Sequence, residues 1–170
     1  LSQISISQDL QDLRDIARER ESVPQMICVQ KTEMKRLLQT TFPELEKLCD
    51  IDTKVMLDFI AEFPSARLVR AAKLRMLQKQ LQRKGVDTRL TFTAEDIMRA
   101  ARGSVATASP AKELILKGKV ATLQHLQSRR DELTEALTDY CRAMMLEDLD
   151  IVTSVRGINK GTATTFLAEI

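Results

Sequence analysis

Tryptophan is absent from this sequence, tyrosine occurs once, and aromatic residues make up only 4% of it. Without aromatics interleaved among its basic residues, it has no platform for stacking single-stranded bases. The only histidine is His125, and the three cysteines, Cys28, Cys49 and Cys141, form no CxxC pair. The ligand clustering of a zinc site is therefore missing, and the cysteines read as free thiols. Ser104, Ser109 and Ser128 have no histidine or carboxylate set beside them to make a nucleophile. No apolar run approaches the ~20 residues of a membrane span. The first residues carry no basic-then-apolar signal pattern. The expectation is a soluble, cytoplasmic chain with no membrane partner.

What remains is helix-forming. With 170 residues, 44% of them hydrophobic, the chain can bury one sizeable core, or fold as one domain with an extended arm. Leu, Ala, Met, Arg, Lys, Glu and Gln dominate, and alternating β-branched runs are scarce. These residues favour helices, so the fold class is all-α. The net charge of +2 hides a segregation: residues 65–89 hold eight basic residues against Asp87, and residues 131–150 hold seven acids against Arg142. Such blocks point to a polyanion-facing region and a separate acidic face.

Along the chain, Leu10, Leu13, Ala17, Val23, Ile27, Met34, Leu37 and Leu38 recur at helical spacing. Pro24 predicts a kink or break near Val23, because it removes a donor and clashes with the preceding turn. Pro43 suits the first position of a new helix, and Phe63-Pro64 ends the short helix that follows. From Ser65 to about Lys84, Leu68, Ala72, Leu74 or Arg75, Leu77 and Leu81 predict one basic amphipathic helix that stops at Gly85. Within it Arg67, Arg70 and Lys73, or Arg75, Lys79 and Arg83, share a face. Thr93 is an N-cap followed by first-turn acids, and Gly103 to Ser109 reads as a linker.

Ser109-Pro110 starts the longest periodic segment. Leu123, Leu126, Leu133, Leu137, Tyr140 and Met144 alternate at spacings of three and four, about three heptads of a coiled-coil seam. A helix over 111–149 would be roughly 60 Å long at 1.5 Å per residue, provided Gly118 does not break it. The seam needs a partner, either the first helix of the same chain or a second protomer.

The final stretch, DIVTSVRGINKGTATTFLAEI, sets Gly157 and Gly161 between apolar flanks. It resembles a helix-hairpin-helix, in which a glycine turn brings backbone N–H groups and a helix N-terminus to a phosphate. Arg156, Gly157, Asn159, Lys160, Gly161 and Thr162 would form the contact. The usual proline is replaced by Arg156 and the second glycine by Asn159, which tolerates a left-handed backbone. An ordinary packing turn is the alternative.

LRDIARERESVPQMICVQKTEMKRLLQTTFPELEKL, then LDFIAEFPSARLV, then LDIVTSVRGINKGTATTFLAEI together resemble insertion-sequence transposases with a RuvC-like domain, the group that includes the Piv invertase. The terminal motif is the specific part of the likeness. The resemblance implies an internal fragment: four metal-binding acids (and their magnesium) upstream, the nucleophilic serine downstream, and no catalytic residue, metal or cofactor in this segment. It also implies DNA and a guide RNA as partners. The expected organisation is a helical connecting region over 1–108, a coiled-coil helix over 109–149, and the start of a helix-hairpin-helix domain over 150–170. The expected function is dimerisation and nucleic-acid binding within a DNA transposase or recombinase, with Arg67, Arg70, Lys73, Arg75, Lys79 and Arg83 as the basic contacts. The competing readings are a helical adaptor that uses its charged blocks for protein contact, and a small helix-hairpin-helix module of repair type.

Overall fold

Prolines and small capping side chains decide where this chain turns. The computed structural model describes residues 2–82, 90–107 and 109–144. Among them are seven helices and no strand: α1 (Ser2–Thr41), α2 (Pro43–Leu48), α3 (Lys54–Glu62), α4 (Ala66–Ala71), α5 (Leu74–Leu81), α6 (Ala94–Arg102) and α7 (Pro110–Met144). The protein is all-α. No helix among the described residues is long and apolar enough to cross a membrane.

Pro43 and Pro110 each open a helix, where a missing N–H costs nothing. Thr53 and Ser65 cap α3 and α4 by accepting from the N–H groups of Met56 and Leu68. Thr93 begins α6 with a reciprocal capping box: its hydroxyl accepts from the Asp96 N–H, and the Asp96 carboxylate accepts from the Thr93 N–H at 2.9 Å.

Two expectations are revised. Of the kink or break expected near Val23, the break does not occur, for α1 runs through Pro24. Its neighbours Val23 and Ile27 are buried, and packing worth about 1.5–3 kcal/mol per buried aliphatic side chain offsets a proline penalty of about 3 kcal/mol. The single basic helix over 65–84 is instead α4 and α5. They are joined by Ala72 and Lys73 in extended conformation, with ψ of 151° and 138°. Of the apolar stripe that suggested one helix, only Leu77 is buried; Leu68, Ala72, Leu74 and Leu81 are intermediate. Ala66 and Val69 are the buried residues of α4. One straight helix presents one stripe in one direction, whereas the extended link lets α4 and α5 each lie on α6.

The described residues form two compact units. One joins the chain up to Ile27 with the chain from His125 onward, and the other is Cys28–Gln124. In the first, Leu13, Ala17, Val23 and Ile27 of α1 and Leu133, Leu137 and Cys141 of α7 are buried. Arg20 Nε donates to Thr134 Oγ1 at 2.9 Å. In the second, α6 packs on α2, α4 and α5, while α3 packs on α5. Phe42, Met56, Phe59, Ile60, Leu77, Ile97 and Leu116 are fully enclosed. The Phe59 and Phe63 rings meet at 5.3 Å in a tilted pair. Polar ties surround this core. Ser104 Oγ and the Val105 N–H both donate to the Glu44 carboxylate, a partner for Ser104 that the sequence did not show, and Gln124 Nε2 donates to Asp58 Oδ1 at 2.7 Å.

Gly118 lies inside α7, and a Cβ there would meet nothing within 4 Å. Gly118→Ala should therefore stabilise the protein by about 0.5–1 kcal/mol, since alanine loses less backbone entropy in a helix. Urea denaturation reads this as a raised midpoint at unchanged slope, and a lowered midpoint would show that the site is not open.

Candidate nucleic-acid interface

The basic surface is built outward from a buried acid. Glu113, in the first turn of α7, is the one charged residue buried among the described residues. Its carboxylate accepts from Ser65 Oγ at 2.6 Å, from Arg67 Nε at 3.1 Å and from Arg67 Nη2 at 2.7 Å. The Arg67 bonds hold the Glu113 carboxyl below its ordinary pKa against the upward push of burial, with further help from Ser65 and Lys117. Arg67 is exposed on its outer side, but its fork is committed to Glu113. Of the five described basic side chains expected on this stretch, it is the one tied to a buried carboxylate.

The others diverge from it. Arg70, Lys73, Arg75 and Lys79 are exposed. Arg70 Nη1 donates to the Ala101 carbonyl at 3.1 Å, which places its guanidinium against the last turn of α6. Lys73 is the N-cap residue of α5, so it does not continue the Arg67–Arg70 face, while Arg75 and Lys79 lie one turn apart on α5. Among the described residues Lys73, Arg75 and Lys79 make no ion pair. Arg83 lies outside the described residues.

Beside Arg70, α4, α5 and α6 border a groove of about 370 Å³ lined by Arg70, Ala72, Leu74, Glu95, Met98, Arg99 and Arg102. Sequence reasoning missed Arg99 and Arg102. Their spacing of three just before Gly103 was a usable signal, though cations in a last turn are also common as complements to the helix dipole. Glu113 was missed too, because nothing in PAKELILKG separates a buried acid from a first-turn surface one.

The expected dimer seam divides. Leu123, Leu133 and Leu137 are buried within the chain, Leu126 is intermediate, and Tyr140 is exposed. The side chain of Met144 lies outside the described residues. So does the whole terminal motif with Arg156, Gly157, Asn159, Lys160, Gly161 and Thr162. In the acidic block, Asp131 pairs with Arg130, Glu132 with Arg129 and Asp139 with Arg142, all on α7 itself. His125 sits on the exposed surface of α7. Cys28 is exposed, and burial helps raise the Cys49 thiol to about 11. Among the described residues no group of three His, Cys, Asp or Glu side chains could hold a metal.

No family model, curated protein or solved structure matches the chain.

The Glu113 network has a pH signature. A carboxylate with a depressed folded pKa contributes stability that is fully present above its unfolded value, about 4.3, and is lost as pH falls through the folded value. Glu113→Gln should lower the melting temperature by several degrees at neutral pH and make the acid-side decline shallower. Melting curves from neutral pH down to pH of about 3 test this, and an unchanged acid profile would remove Glu113 from the account.

Proposed function

We propose that this chain is a connecting region of a DNA transposase or recombinase, one that binds a nucleic-acid backbone and pairs two protomers while flanking domains carry the chemistry. One observation carries the binding part: Lys73, Arg75 and Lys79 stand exposed without carboxylate partners among the described residues, next to a groove rimmed by Arg70, Arg99 and Arg102. Cations consumed by intramolecular pairs contribute little to a partner, whereas unpaired ones release counterions from phosphates. The resemblance to RuvC-domain transposases supports DNA as the partner and a structured guide RNA as a second. No catalytic residue is assigned.

Pairing of protomers has a separate basis. With Leu123, Leu133 and Leu137 buried within the chain, the apolar surface left to α7 includes Leu114, 73% exposed, and Ile115, 50% exposed. Exposed apolar residues in adjacent positions mark an association surface more often than isolated ones do. Light scattering at tens of micromolar should give the mass of two chains, and Leu114→Glu with Ile115→Glu should give one. A monomeric wild type would end the pairing proposal.

Fluorescence anisotropy with mixed-sequence duplex DNA and with structured RNA tests the binding part. Affinity should fall steeply between low and physiological salt. The Lys73→Ala, Arg75→Ala, Lys79→Ala variant should bind more weakly, with a salt slope shallower by about 0.9 for each duplex phosphate it no longer neutralises. Absence of binding at low salt would overturn the reading and leave the charged blocks as protein-contact surfaces, the adaptor alternative.

A further inference from the structure

We propose that the groove bordered by α4, α5 and α6 is a phosphodiester site, in which Arg99 and Arg102 grip one backbone phosphate while the floor of Ala72, Leu74 and Met98 receives the adjoining sugar. This rests on the nucleic-acid reading above and assigns it two residues outside the basic stretch at 65–89.

The charge balance of the groove favours an anion. Three guanidinium groups face a single lining carboxylate, Glu95, whose Oε1 accepts from Gln78 Nε2 at 2.9 Å. Arg70 is held by the Ala101 carbonyl, so part of its ordering entropy is already spent before a ligand arrives. The side chain of Arg99 is 80% exposed and shares Asp96, at 3.2 Å, with the helix cap. That carboxylate also accepts from the N–H and hydroxyl of Thr93. Arg102 makes no hydrogen bond or ion pair among the described residues. No other described residue engages it, so a dipole complement alone does not account for three arginines at one helix end. The negative end of α6, roughly half a charge, opposes an anion there, but bidentate guanidinium bonds to a full charge exceed it.

The groove also selects among anions. All three of its cations are arginines, whose planar fork matches phosphate oxygens two at a time, as a lysine ammonium does not. Its lining also includes the apolar Ala72, Leu74 and Met98, so a bare inorganic phosphate would satisfy the arginines and leave that apolar surface wet. A phosphodiester with its sugar covers both. A volume of about 370 Å³ lies near the low end for ligand pockets and suits one backbone unit rather than an inserted helix.

The test is anisotropy of the full chain with a labelled mixed-sequence duplex, with circular dichroism melting to confirm that each variant folds. Arg99→Ala with Arg102→Ala should weaken binding by about tenfold and reduce the salt slope by about 0.9. Arg99→Lys with Arg102→Lys should restore the slope but not the affinity, a split that a merely structural role does not produce. Inorganic phosphate should compete far less than a short unlabelled oligonucleotide at equal phosphate concentration. If the wild type binds and the alanine pair binds equally well with the same slope, the groove assignment fails while the wider reading stands. If the wild type does not bind at low salt, both fail. Displacement by a polyglutamate peptide as readily as by the oligonucleotide would overturn the phosphodiester assignment in favour of an acidic protein ligand.

Discussion

Within the Cys28–Gln124 unit, the enclosed carboxylate of Glu113 ties the start of α4 to the first turn of α7. An ionised acid out of water is costly unless its oxygens are filled. Ser65 and the Arg67 fork fill them. Because Ser65 is also the N-cap of α4, the same contacts set where α4 begins and which way it leaves the α7 start. The position of α4 then places Arg70 on the Ala101 carbonyl, and with it the arginine groove. The groove proposed as a binding surface is thus referenced to a contact in the interior of the same unit.

Charge in this protein is divided by use. Arg67 neutralises an interior acid, Arg70 holds a helix end, and Arg129, Arg130 and Arg142 pair with acids on their own helix. Exposed pairs of the last kind are worth little to stability, but they matter here because they show where the acidic block spends its charge. Lys73, Arg75, Lys79 and Arg102 have no such partner among the described residues. A net charge of +2 says nothing of this division, which is why composition alone is a poor guide to what the surface can bind.

The helix breaks show local preference and packing in competition. Thr93, Ser65 and Pro110 act where their chemistry predicts, because caps satisfy backbone groups within a few residues and need no distant partner. Pro24 and Gly118 are helix breakers by propensity, yet α1 and α7 pass through both. The reverse occurs at Ala72-Lys73, where two good helix formers adopt extended backbone. In each case a few kilocalories per mole of buried apolar contact exceed a local preference of smaller or similar size.

The sequence by itself determined the all-α class, the starts of α2, α4, α6 and α7, and the presence of an exposed basic stretch. These follow from composition, caps, prolines and charge, each of which acts over a few residues. Tertiary structure alone decided that the basic stretch is two helices, that Arg67 turns to Glu113, that Leu133 and Leu137 are buried within the chain, and that Arg99 and Arg102 join Arg70 around one groove. Those outcomes depend on which faces meet across tens of residues. A periodic pattern shows that a face is apolar, but it does not name what covers it, and the identity of a charged residue does not name its partner.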